Sequence, residues 1–242
     1  LNKYTYVGGT RYLDNGSRNY EVAGYRLPSV TTILGRTKDD TFLKDWIAKK
    51  GKKEAERIKN ASAVRGTSMH KYLENYVLGK GYEDLTELGQ ETKRMAEKVI
   101  EVGLAPVSGF YGSEVTLYYP GLYAGSTDLV GIHNDKETII DFKQANRPKR
   151  EDWIEDYFMQ IAAYAMAHDY VHKSNIRQAV IMICTPDLYF QEFKLQDGEL
   201  RQWKHKFLAR VNQYYEIKHD EKEQAQVDLS VMLQEFENNK KT

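Results

Sequence analysis

With 242 residues, 41% of them hydrophobic and 29% charged, the chain has the make-up of an ordinary soluble globular protein with a substantial core. Its 35 basic and 35 acidic residues cancel, so overall charge singles out no class of partner, and no apolar run reaches membrane-spanning length. The single cysteine, Cys184, excludes an internal disulfide and a cysteine-ligated iron–sulfur cluster.

The start, LNKYTYVGGT, has no signal-peptide pattern and no initiator Met, as expected of a trimmed or processed form. The first 35 residues are rich in Gly, Tyr and Thr with little helical period, and predict short strands and loops. Within them, Ser29 is placed to cap a helix ahead of the apolar run Val30–Leu34. Helical pattern then dominates from Thr41 to Val77, with interruptions expected near Gly51 and at Arg65-Gly66-Thr67. A second helical stretch spans Leu85 to Gly103.

Three strand-like runs follow, Glu114–Tyr119, Ser126–His133 and Glu137–Lys143, rich in Val, Ile, Leu, Thr and Tyr. Beyond a basic loop, 144–150, a helix runs from Glu151 to Val171, with four acidic residues in its first turns as the helix dipole favours. Ala179–Thr185, in which Cys184 reads as a small buried hydrophobe, predicts a strand parallel to the third through a crossover. Tyr189–Leu195 adds an edge strand, and an amphipathic helix covers Leu200 to about Lys218. This order predicts a single α/β domain over 1–242: an N-terminal extension 1–27, a core 28–218 and a charged tail 219–242. Its centre is a mixed sheet, a three-strand meander plus a parallel crossover strand, flanked by helices and preceded by a helical N-terminal third.

Turn chemistry sets the register of the meander. If Asn134-Asp135 is a two-residue turn, His133 faces Lys136 and Asp128 falls opposite Asp141. If Pro120-Gly121-Leu122 is a three-residue turn, Tyr119 faces Tyr123 and Glu114 falls opposite Asp128. The three carboxylates then form a row across adjacent strands with Cβ atoms about 5 Å apart, and Lys143 shares the face of Asp141. Like charges facing each other destabilise a sheet unless a hard divalent cation compensates them. An exposed, solvated face would explain the acids, but Ile139 and Ile140 lead into Asp141 as in a buried strand.

Two basic stretches suit phosphate contacts: 44–65, with eight Lys/Arg against three Asp/Glu, and 143–150, with four basic residues and no acid. Arg65, Arg147 and Lys149 lie in them. His70 stands in RGTSMHKYLE, where a lone helical histidine is most often a surface or satisfied core residue. Gln160 and Tyr164 share one helix face.

Taken in order, GTSMH with His70, Glu114, GSTD with Asp128, DFK with Asp141 and Lys143, and QIAAY with Gln160 and Tyr164 resemble the PD-(D/E)xK nuclease superfamily, RecB-type branch. PSVTTIL, with Ser29 and Thr31, followed by RGTSMHKYLE is similar to the mitochondrial genome maintenance exonucleases and their phage relatives within it. The resemblance implies a restriction-endonuclease-like fold and one or two Mg²⁺ or Mn²⁺ ions held by His70, Glu114, Asp128, Asp141 and the Phe142 carbonyl. It assigns Lys143 to the attacking water, and implies that Gln160, Tyr164, Ser29, Thr31, Arg65, Arg147 and Lys149 support the site or contact DNA. Gln144, after the lysine, departs from the Thr or Ser of many relatives. The implied activity is exonucleolytic hydrolysis of single-stranded DNA with a free end, in replication, recombination or repair, by a monomer free of membranes. The expected compartment is the cytoplasm of a bacterium or phage-infected cell, or the mitochondrial matrix if a transit segment has been removed. A non-catalytic DNA-binding relative, a flap endonuclease and a glycoside hydrolase using paired carboxylates are the alternatives; the last gives Lys143 and His70 no task.

Overall fold

A computed structural model describes residues 3–239, with side chains described except at 42 and 225–239. The first two residues of the extension and the last three of the tail therefore lie outside the described residues. Three short antiparallel strands, β1 (Gly9–Asp14), β2 (Ser17–Val22) and β3 (Tyr25–Pro28), form a small sheet. Helices α1 (Val30–Arg36), α2 (Thr41–Lys50), α3 (Lys52–Val77) and α4 (Glu87–Lys98) follow. The central sheet has the order β4 (Val107–Tyr119), β5 (Tyr123–His133), β6 (Lys136–Gln144), β7 (Gln178–Cys184), β8 (Phe190–Gln196). Between β6 and β7 lies α5 (Glu155–His172), and α6 (Asp197–Asn239) closes the chain.

Local chemistry explains most boundaries. Ser29 Oγ accepts from the Thr32 N–H at 2.9 Å and starts α1; Thr86 caps α4 in the same way at Gly89, 3.0 Å. Gly51, at φ +83°, separates α2 from α3. Asn134 and Asp135, at φ +47° and +61°, make the two-residue turn, and His133 pairs with Lys136. Tyr119 pairs with Tyr123 across the three-residue turn, where Gly121 has φ +75°.

The sheet is mixed: β4, β5 and β6 are antiparallel, β7 joins β6 in parallel, and β8 pairs antiparallel with β7. Helices cover both faces, each with its own core. On one face α1, α5 and α6 pack on Leu117, Val130, Ile139, Ile181 and Ile183. On the other, Met69, Tyr72 and Leu73 of α3 and Met95 and Ala96 of α4 pack on Leu129, Ile140, Phe142, Val180 and Met182. Helix α5 has buried residues around its whole circumference from Phe158 to Ala165, as befits a helix between a sheet and α6. No helix among the described residues is long and apolar enough to cross a membrane.

Three expectations are corrected. The helix does not break at Arg65-Gly66-Thr67, because α3 runs through all three. A Cβ at Gly66 would lie 3.6 Å from Gln144 Cγ, an ordinary van der Waals contact, so the packing of α3 on β6 does not require glycine there. The stretch to Gly103 ends in a π-helical turn, Val99–Gly103, rather than regular helix. The C-terminal helix does not stop near Lys218, since α6 continues to Asn239.

Candidate metal centre

Two hairpins and one helix bring the site together. In β4, Glu114 lies between the pairs Ser113↔Leu129 and Val115↔Thr127, which places it opposite Asp128. Its backbone is left-handed, φ +50°, inside an otherwise extended strand. For a non-glycine residue that conformation costs on the order of 1–3 kcal/mol, and such costs cluster at functional sites. The turned backbone presents the carboxylate to Ser126, whose Oγ donates to Glu114 Oε2 at 3.1 Å.

Pairing of β5 with β6 is recorded as far as Leu129↔Ile140, one position short of Asp128 and Asp141. The Phe142 N–H donates to Asp128 Oδ2 at 2.6 Å. Asp128 thus spans the end of the ladder with one oxygen and offers the other to His70, whose Nδ1 lies 3.3 Å from Oδ1. The same nitrogen is 3.9 Å from Glu114 Oε1. Ligand atoms of His70, Glu114 and Asp128 all lie within 4.8 Å of one another. Burial opposes charge on His70, yet the Asp128 and Glu114 carboxylates outweigh it and hold the imidazole pKa up, at about 10.

Asp141 does not complete that trio. It is buried, and its Oδ2 lies 2.5 Å from Lys143 Nζ in an ion pair that lacks hydrogen-bond geometry. Burial pushes the Asp141 carboxyl up to about 6, with Lys143 pulling the other way. Burial likewise opposes charge on Lys143, but Asp141 and Asp128 keep it protonated. The Lys143 ammonium also lies 5.1 Å from the centre of the Tyr157 ring. Imidazole nitrogen and clustered carboxylate oxygens within 4.8 Å of one another fit a hard divalent cation. A second trio, His219, Asp220 and Glu223, is fully surface-exposed on α6 and shows none of this burial.

On α5, Gln160 Nε2 donates to Tyr164 OH at 3.0 Å, and burial, then the Asp141 charge, raise the Tyr164 pKa well above that of a free phenol. The Tyr164 ring presses on β5 where Gly125 leaves room: a Cβ there would stand 2.6 Å from Tyr164 Cε1. Ser29 is buried and occupied as a cap, with Thr31 Oγ1 3.0 Å from its hydroxyl. Arg65 is engaged by Glu91 at 2.9 Å and donates to Asn146 at 3.1 Å. Lys149 is clipped to β8 through its backbone, N–H to Gln191 Oε1 at 2.7 Å, while Arg147 stands exposed in the same loop. Sequence reasoning missed Ser126 and Tyr157. Two-residue alternation with Asp128 signals the first, and the helical spacing Tyr157–Gln160–Tyr164 signals the second. Gln144, the departure after the lysine, donates to the Ser62 carbonyl at 3.3 Å and ties β6 to α3.

Fold and site together define a mixed α/β protein with a histidine–carboxylate cluster and a partly buried lysine beside it, at the end of the β5–β6 ladder. No family model matches the chain. It is 27% identical over 223 residues to mitochondrial genome maintenance exonuclease 1 of Xenopus tropicalis, covering 86% of this chain and 62% of that protein. The Homo sapiens protein of the same name is 28% identical over 208 residues, covering 79% and 59%. The resemblance read from the residue series is thus borne out, and the chain spans about three fifths of these relatives' length. A solved structure from Eubacterium rectale aligns with 65% of this chain and 68% of its own at a TM-score of 0.48 and 12% identity, too slight a likeness to bear on activity.

Proposed function

We propose that the chain is a divalent-metal-dependent deoxyribonuclease that hydrolyses phosphodiester bonds exonucleolytically, on single-stranded DNA with a free end. The observation that carries this reading is the cluster of His70, Glu114 and Asp128 ligand atoms within 4.8 Å, set beside the buried Asp141 and its partly buried partner Lys143. In it, His70, Glu114, Asp128 and Asp141, with the Phe142 carbonyl, hold one or two Mg²⁺ or Mn²⁺ ions. When bound, such an ion supplies Lewis-acid chemistry that activates water and neutralises phosphate charge.

The chain's own residues do the rest. Lys143, kept protonated by two aspartates, orients the attacking water and opposes negative charge as it develops on the phosphate. Tyr157 and Asp141 fix its ammonium from two sides. Gln160 and Tyr164 brace β5 behind the carboxylates, and Arg147 with the α2–α3 lysines offers phosphate contacts. The lysine is what separates this reading from a glycosidase, which has no use for a cation paired with one of its carboxylates. The relatives' name supports a role in genome maintenance; we assign that role to replication, recombination or repair, carried out by a monomer. The same name favours the mitochondrial option over a bacterial or phage-infected cytoplasm as the compartment.

The test is incubation of end-labelled linear single strands, linear duplex and circular single strands with Mg²⁺, using wild type and Lys143→Ala. Degradation of linear single strands alone, lost in the variant, is the expected result. Equal cutting of circles would make the protein an endonuclease, and an inert wild type in both Mg²⁺ and Mn²⁺ would leave only a binding protein.

A further inference from the structure

The small N-terminal sheet and α6, which the active-site reading leaves without a task, face each other across an open groove of about 770 Å³. Tyr12 of β1, Arg26 of β3, and Tyr215, Lys218 and Lys222 of α6 line it, with Asp14 the acid among its lining. Three cations against one carboxylate leave it net positive. Lys218 and Lys222 are exposed and one helical turn apart, so both present to the same side. Tyr12 is half-buried on β1 and lines the groove. Tyr215 is anchored through its hydroxyl, which donates to the Leu122 carbonyl at 2.6 Å, so its ring is held in place.

The position matters as much as the charge. Pro28, also on the groove wall, precedes Ser29, which bridges Ala124 of β5. Ala124 is four residues before Asp128, about 13 Å along an extended strand. The groove is therefore too far from the carboxylates to hold the nucleotide being cut, and near enough to hold another part of the same strand. Aromatic side chains beside cations are what a flexible single strand needs: rings for bases, cations for phosphates.

We propose that the groove between β1–β3 and α6 is a secondary binding site for single-stranded DNA, with Arg26, Lys218 and Lys222 on its phosphates and Tyr12 and Tyr215 against its bases. This rests on the nuclease reading, since it assumes the same strand reaches the carboxylates. Three phosphate contacts on a single strand contribute about 2 to the slope of log affinity against log salt. The experiment follows a fluorescent twenty-nucleotide single strand by anisotropy in EDTA, over a series of NaCl concentrations. It compares wild type, the triple variant Arg26→Gln/Lys218→Gln/Lys222→Gln, and a control carrying Lys80→Gln/Lys136→Gln/Lys173→Gln. All three are first shown to melt at the same temperature. A slope lower by about 2 in the groove variant, with the control unchanged, supports the site. A slope unchanged in the groove variant, or reduced as much in the control, overturns it. A wild type that binds no single strand in EDTA also overturns the groove site, whereas the nuclease reading fails separately and distinguishably, by an inert wild type in both Mg²⁺ and Mn²⁺.

Discussion

Replacing Gly125 by Ala tests whether the contact between α5 and β5 is as tight as the structure shows. The added Cβ would lie 2.6 Å from Tyr164 Cε1 and 3.0 Å from its hydroxyl. Carbon pairs are most stable at about 3.5–4.0 Å, so the methyl intrudes by about 1 Å. Tyr164 is 3% exposed, and its hydroxyl accepts from Gln160, so the ring has little room to retreat. Overpacking of this kind costs about 1–3 kcal/mol. In a chain of this size that lowers Tm by about 3–10 °C. The companion variant Tyr164→Leu removes the offending ring edge. In that background Gly125→Ala should stabilise by about 0.5–1 kcal/mol, because Ala restricts an extended chain more favourably than Gly. Thermal melts of the four proteins close a double-mutant cycle, and a change of sign between backgrounds is the expected outcome. An equal cost of Gly125→Ala in both backgrounds would refute the reasoning.

Further expectations follow from the same structure. Glu114→Gly relieves the left-handed backbone and removes a carboxylate, so Tm should hold or rise while Mn²⁺ affinity falls at least tenfold; unchanged affinity would take Glu114 out of the site. Ser29→Ala removes the α1 cap and should cost about 1 kcal/mol in urea denaturation, and a neutral result would contradict the cap's role. His168 is buried, its ring nitrogens 3.1 Å from Tyr6 OH and 2.7 Å from Ser174 Oγ. Burial, then the neighbouring His172, lower its pKa to about 4. The unfolded chain, near 6.5, binds the extra proton between those values, so this stability is full above about pH 6.5 and lost as pH falls toward about 4. The ceiling is about 3 kcal/mol, and His168→Gln should flatten the decline between pH 7.5 and 4.5 in denaturant titrations.

Much of the geometry was legible because turn residues set strand register. Asn134-Asp135 and Pro120-Gly121-Leu122 have the lengths that the sequence demands, so Glu114 and Asp128 meet as counted. Counting could not reveal that pairing would stop at Leu129↔Ile140 and that Asp128 would take the Phe142 N–H. Nor could it show Asp141 turning to Lys143, since strand alternation gives a face and not a partner. Gly66 misled because glycine is read as a helix breaker, whereas inside a long helix it costs only about 1 kcal/mol and α3 runs through it. The length of α6 was hidden because charged residues after Lys218 carry no apolar period, although Lys, Glu and Gln favour helix.

The central claim is that His70, Glu114, Asp128 and Asp141 form one cation site that serves DNA hydrolysis. Titration calorimetry of Mn²⁺ into wild type and into Asp128→Asn and Asp141→Ala, with folding checked by melting, tests it most directly. The account predicts one or two ions bound by wild type and binding lost or weakened at least tenfold in both variants. A wild type that binds no Mn²⁺, or variants that bind as it does, would contradict it.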